Sequence, residues 1–145
     1  MIYLDTAALV KLVRREAESQ ELVDWLNHQV DRIFVSSALV EVELPRALRR
    51  SEPALLTTAT SVLAQVSIYD VDETVRSTAA SYQDPWIRSL DAIHLATADA
   101  VLGDDLTAFV SYDRRLLATA KAIGLPVASP GMSRESDEAQ RQSAR

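Results

Sequence analysis

Short apolar runs alternate along the chain with longer stretches in which apolar residues recur every three or four positions. The runs at about Met1–Leu4, Arg32–Val35, Val66–Tyr69, Ala108–Ser111 and Pro126–Ala128 suit buried strands. Helical spacing fills the intervals and predicts helices over about 7–15, 18–29, from after Ser37 to about Arg50, 53–65, 73–82, 91–102 and 114–123. Thr6 is the expected cap of the first helix, and Asp72 that of the fifth. Ser51 precedes the fourth and Pro53 sits in its first turn, as helix starts favour. Gly103 and the run Gly124-Leu125-Pro126 stop the last two helices. Strand and helix alternate throughout, so the fold class is α/β with a mainly parallel sheet. There is no internal repeat. Residues 1–129 read as one domain, and 130–145 as a polar, aperiodic and mobile tail.

Composition narrows the classes. The chain has 145 residues, 48% hydrophobic and 25% charged, enough to bury a core. No apolar stretch approaches the roughly 20 residues needed to span a bilayer, so no membrane partner is expected. The start Met1-Ile2-Tyr3-Leu4-Asp5 lacks a basic segment and is not expected to be a signal peptide. The absence of cysteine excludes disulfides, cysteine nucleophiles and thiolate zinc sites, and fits a cytoplasmic protein. The net charge of −6 argues against a broad nucleic-acid scaffold, which would be basic. It leaves room for local, metal-assisted RNA contact and for a basic protein partner.

The candidate chemistry is carboxylate. Asp5 ends the first strand, Asp113 follows the fourth, and Asp91 opens a helix. A parallel sheet gathers its functional groups at the carboxyl ends of strands and at the helix starts that follow. Carboxylates brought together there repel unless a cation joins them, and Mg²⁺ or Mn²⁺ prefer oxygen ligands. Asp5, Asp91 and Asp113 have a plainer role as helix caps. Glu41 and Glu43 are about 200° apart around a helix, so only one can face the site. Periodicity leaves that choice open, and Pro45 would kink the helix there by freeing the Glu41 carbonyl. Asp70 also ends a strand and rivals the other acids. Asp99 lies about 12 Å along the helix from Asp91, too far to share an ion directly, and reads as structural or exposed. His94 reads as a hydrogen-bonded structural group. Thr6 can bond a carboxylate or a phosphate oxygen. Arg46 and Arg114 are the cations nearest the acidic segments and are candidate phosphate contacts.

The segments Tyr3–Leu12, Ser37–Leu44 with Arg46-Ala47, Leu90–Ala98 and Phe109–Asp113, in that order and spacing, resemble the PIN-domain ribonucleases, specifically the VapC-type toxins of bacterial toxin–antitoxin pairs. The resemblance covers roughly residues 1 to 128. It selects Glu43 through the family's Glu-x-x-Arg-Ala pattern, and Asp113 in place of Asp70. Pro45 departs from the pattern, where an ordinary helix former is expected. The resemblance implies a three-layer fold with a five-stranded sheet between helices. It also implies Mg²⁺- or Mn²⁺-dependent cleavage of RNA, homodimers, and a small cognate antitoxin.

The expected function is therefore a metal-dependent endoribonuclease toxin. Asp5 and Asp91 would be the principal metal ligands, with Glu43 and Asp113 completing the site directly or through water. Hydrolysis would run in line at phosphorus and leave a 5′-phosphate and a 3′-hydroxyl. The substrate would be single-stranded or looped RNA. Two rivals stand beside this reading. A Mg²⁺-dependent phosphohydrolase would also place Asp at strand ends, but Thr6-Ala7-Ala8 supplies no second Asp for an Asp-x-Asp motif. An inactive PIN-like module could use the acidic pocket to capture a basic peptide.

Overall fold

The computed structural model describes residues 1–30 and 33–133. Arg32, expected to open the second strand, and most of the expected tail, 134–145, lie outside the described residues. Among those described, the strands are β1 (Ile2–Leu4), β2 (Phe34–Ser37), β3 (Ser67–Tyr69), β4 (Ala108–Val110) and β5 (Val127–Ala128). The helices are α1 (Thr6–Val13), α2 (Ser19–Asn27), α3 (Val40–Ser51), α4 (Leu56–Leu63), α5 (Glu73–Ser81), α6 (Ser89–Ala96) and α7 (Arg114–Ala122).

All five strands pair in parallel, in the order β3-β2-β1-β4-β5. Side chains alternate between sheet faces with period two, and this divides the core. Ile2 and Leu4 of β1 join Ala108 and Val110 of β4 on one face, packed with Leu9, Leu22, Leu44 and Leu48 from α1, α2 and α3. Tyr3 and Phe109 point the other way, toward Leu95 of α6 and Leu116 of α7. They are register partners across β1 and β4, and their rings stack 5.2 Å apart. The result is a three-layer α/β/α sandwich, with both sheet faces covered as parallel strands require.

The chain runs from β1 outward to β2 and β3, then returns to β4 on the other side of β1. The strand order therefore reverses between β1 and β4. The crevice beyond the carboxyl ends of those two strands is where open α/β sheets place ligands.

Three local features refine the expected elements. The predicted helix from 53 begins as a 3₁₀ turn over Pro53–Leu55 before α4. The predicted helix 91–102 starts two residues early, at Ser89, and widens into a π-helical segment over Thr97–Leu102. Pro45 is accommodated inside α3, which continues to Ser51. At the end of α7, Gly124 adopts φ +91°. Its N–H bonds the Lys121 carbonyl, and the Leu125 N–H bonds that of Ala120. This paired closure needs a left-handed residue, which glycine supplies at little steric cost. Just beyond β5, the Tyr112 hydroxyl donates to the Pro130 carbonyl at 2.9 Å, and Gly131 lies against Glu21 of α2.

Candidate active site

Asp5 leaves β1 at the reversal point and is almost wholly buried, at 4% exposure. The first helix was expected to be capped by Thr6. Instead Asp5 is the cap: its Oδ1 accepts the Ala8 N–H at 2.9 Å. Thr6 is drawn away by a partner from another element. Its hydroxyl donates to Glu43 Oε1 at 2.9 Å, 37 residues along the chain. The hydroxyl of Ser111 also bonds the Asp5 carboxylate. Burial nonetheless wins and pushes the Asp5 carboxyl above the usual carboxylate range, against the bonds from Ser111 and Ala8.

Asp91 lies in the first turn of α6 and is half-buried. Its carboxyl is also raised, first by burial and then by the negative charge of Asp113, with Glu43 adding to the repulsion. Asp113 caps α7: its Oδ1 accepts the N–H groups of Arg115 and Leu116 at 2.9 and 3.2 Å. The Asp113 N–H in turn donates to Ser111 Oγ at 3.2 Å. Ser111 thus links the ends of β1 and β4, a role not singled out in the sequence. The available signal was a polar residue at the end of an otherwise apolar run.

Glu43 and Glu41 separate as helix geometry requires. Glu41 is exposed, whereas Glu43 is half-buried and held from two sides. Besides Thr6, His94 Nε2 lies 2.8 Å from Glu43 Oε1. His94 is itself buried, and its Nδ1 lies 2.7 Å from the Tyr3 hydroxyl. Burial drives the Tyr3 hydroxyl far above its ordinary range. The Glu43 carboxylate can only accept, so His94 Nε2 carries the hydrogen of their contact. Burial alone would raise Glu43, but the His94 contact and the Thr6 hydroxyl together outweigh it and hold the carboxyl below its usual range. The structural reading of His94 stands, with a specific partner: a link from the core tyrosine to a site carboxylate. Tyr3 was missed, because its partner lies 91 residues away.

The other candidates fall outside this group. Asp70 is exposed at the end of β3. Asp99 accepts the Tyr82 hydroxyl at 3.0 Å and is structural. Asp72 caps α5 through the Val75 N–H at 2.9 Å. Arg46 is exposed on α3, and Arg114 is partly buried at the start of α7.

Asp5, Glu43, Asp91 and Asp113 thus come from four elements to the carboxyl end of the sheet, and they interact electrostatically. As placed, no three acidic or histidine side chains among the described residues converge tightly enough to enclose a metal ion. The donor set still suits a hard divalent cation. Mg²⁺ is typically held by one or two carboxylates and keeps several waters. Two raised carboxyls beside further negative charge are what such an ion would relieve.

Comparison with known proteins agrees with this fold. The PIN domain profile matches residues 2–122. The chain is 50% identical to ribonuclease VapC35 of Mycobacterium tuberculosis over 92% of its own length and all of the relative's. It is 42% identical to ribonuclease VapC47 of the same species, over 92% of this chain and all of that one. The crystal structure of Mycobacterium tuberculosis VapC20, described as a sarcin-ricin-loop-cleaving toxin, superposes with a TM-score of 0.70. That match covers 90% of this chain and all of the other at 16% identity, a likeness of fold. The chain belongs to the PIN-domain family and, within it, to the VapC ribonucleases.

Proposed function

We propose that the protein is a divalent-metal-dependent endoribonuclease that acts as a toxin and is neutralised by a cognate antitoxin. The observation that carries this reading is Asp5, a buried carboxylate at the strand-order reversal, raised by burial and facing the charge of Asp91. A stable protein keeps such a group when a cation or substrate makes use of it.

Asp5 and Asp91 would hold Mg²⁺ or Mn²⁺, with Glu43 and Asp113 reaching it directly or through water. Such an ion, when bound, supplies Lewis acidity and lowers the pKa of a water. The chain's own residues supply position. Asp5 is fixed by the α1 cap and by Ser111. Glu43 is aimed by Thr6 and His94, both of which reach Oε1, so Oε2 keeps its capacity to accept. A carboxylate held below its usual range is a weak general base. Glu43 therefore orients the attacking water rather than removing its proton. Asp113, exposed at the mouth, would meet the incoming strand and exclude phosphates set in the wrong register. Single-stranded or looped RNA suits this open crevice, because its backbone is free to enter. Thr6, Arg46 and Arg114 stand as substrate contacts, with Thr6 acting through Glu43.

Family membership supports a homodimer and a small antitoxin, whose Arg or Lys would bridge the site carboxylates. Among the described residues no helix is long and apolar enough to cross a membrane, and the proposed setting is the cytoplasm. The test is cleavage of RNA by purified protein with Mg²⁺ or Mn²⁺ titrated against chelator, with 5′ ends mapped. Cleavage that persists undiminished in chelator, or in Asp5→Asn, would remove this assignment.

A further inference from the structure

The chain has two tryptophans in opposite settings. Trp25 packs against the core from α2, whereas Trp86 is 78% exposed. A single exposed apolar side chain is ordinary; Trp86 differs in how firmly it is held and in what surrounds it. Its backbone N–H donates to Asp84 Oδ1 at 2.9 Å, and Asp84 Oδ2 accepts the Thr119 hydroxyl of α7 at 2.8 Å. These two bonds hold the Asp84 carboxyl below its ordinary range. The next residue, Ile87, packs into the core beneath the sheet. The turn is therefore tied to α7 on one side and to the core on the other, while the indole stays in solvent.

The surroundings are cationic and close to the site. Arg88 is exposed two residues on, at most about 7 Å along the chain. Its charge is felt by Asp91. Arg115, also exposed, acts on Asp84 from the first turn of α7, beside Asp113. An exposed indole on a pinned turn, with the exposed Arg88 two residues on and Arg115 acting on the same turn, matches single-stranded nucleic acid: a base for the ring and phosphates for the cations. The overall charge of −6 makes such a local device more important, since the net charge of the protein repels RNA.

We propose that Trp86 is a base-stacking platform for the RNA strand, with Arg88 and Arg115 holding the flanking phosphates. The proposal rests on the ribonuclease reading and concerns how that site selects and grips its substrate.

The test uses the full chain and a short single-stranded RNA that the wild type cleaves. Trp86→Ala should raise KM about tenfold, within the range for one stacked base, and leave kcat within about twofold. Trp86→Phe should recover most of the loss. Thr119→Val, which frees Asp84 but keeps the indole, should give a smaller rise in KM. An abasic nucleotide at one position of the RNA should weaken wild-type binding as much as Trp86→Ala does, and add nothing in that variant. An unchanged KM in Trp86→Ala, or abasic and alanine effects that simply add, would overturn the proposal. So would an unchanged KM accompanied by loss of a dimer, which would make Trp86 a protein contact. Affinity for labelled RNA, measured in parallel with chelator present, separates the two readings. RNA binding that depends on Trp86 without any cleavage would count against the nuclease assignment and still support the platform.

Discussion

Asp5 and Asp113 occupy matching places in two neighbouring strands. Asp5 follows β1 directly, and two residues separate Asp113 from the end of β4; each caps the next helix, and each accepts a backbone N–H at 2.9 Å. Their surroundings differ. Asp5 follows the central strand, flanked by β2 and β4, and is buried. Asp113 follows β4, whose outer neighbour β5 has only two residues, and is exposed. The same capping chemistry is a routine helix start in one place and a strained carboxylate in the other. Burial in a central position, rather than residue type or local motif, marks the candidate catalytic group.

The largest expected effect breaks this pair apart. Asp5→Asn should lower kcat/KM by about a thousandfold or more, since several kcal/mol of charge stabilisation is lost. Asp113→Asn should cost about tenfold, as its carboxylate acts at the exposed mouth. Equal losses would mean that burial does not rank the two. Next in size, Glu43→Gln should lower kcat/KM by roughly 10–100-fold, and Glu41→Gln should leave it unchanged. Circular dichroism of each variant checks that the fold persists.

Stability against pH sharpens the contrast further. The folded-state carboxyls of Asp5 and Asp91 lie above their unfolded values. Below the unfolded value, near pH 4, both states are protonated and their contribution is fully present. As pH rises through the folded value it is lost, because the fold then holds a charge it disfavours. Glu43 runs the opposite way and loses its contribution as pH falls. With chelator present, Asp5→Asn should therefore raise Tm at neutral pH and flatten its fall with pH. Thermal melts from acid to neutral pH would show this. A Tm for Asp5→Asn below wild type at neutral pH would deny that the native carboxylate is strained. The smallest effect is at a helix end: Gly124→Ala should cost about 1 kcal/mol for its left-handed backbone and leave cleavage intact. Chemical denaturation and the cleavage assay would measure both.

Much of this arrangement was legible in the sequence because it is written locally. Apolar runs and helical periods placed the strands and helices, and Asp72 and Gly124 announced a helix start and a helix end. What escaped depends on distant partners. Thr6 and Asp5 are both good caps, and the choice between them was made by Glu43, 37 residues on. Helical spacing showed that Glu43 and Glu41 diverge but not which faced inward; the family pattern selected Glu43, and the contact that holds it comes from His94 on another helix. The π-helical widening after Ala96 has no local signature, since the same residues suit an α-helix. Asp84 and Thr119 meet 35 residues apart, so nothing near Trp86 in sequence reveals that its turn is pinned.

The central strand also sets a schedule. β1 is made first, yet its neighbours in the sheet are Phe34-Val35 on one side and Ala108–Val110 on the other. Contacts so far apart in sequence form late and slowly. A chain emerging from the ribosome, N-terminus first, exposes Asp5 long before Asp91 and Asp113 have been synthesised. The four acids cannot assemble on a partial product. On the proposed reading, a nascent or truncated chain would not cleave RNA, and activity would begin only when the last third of the polypeptide has folded against its beginning.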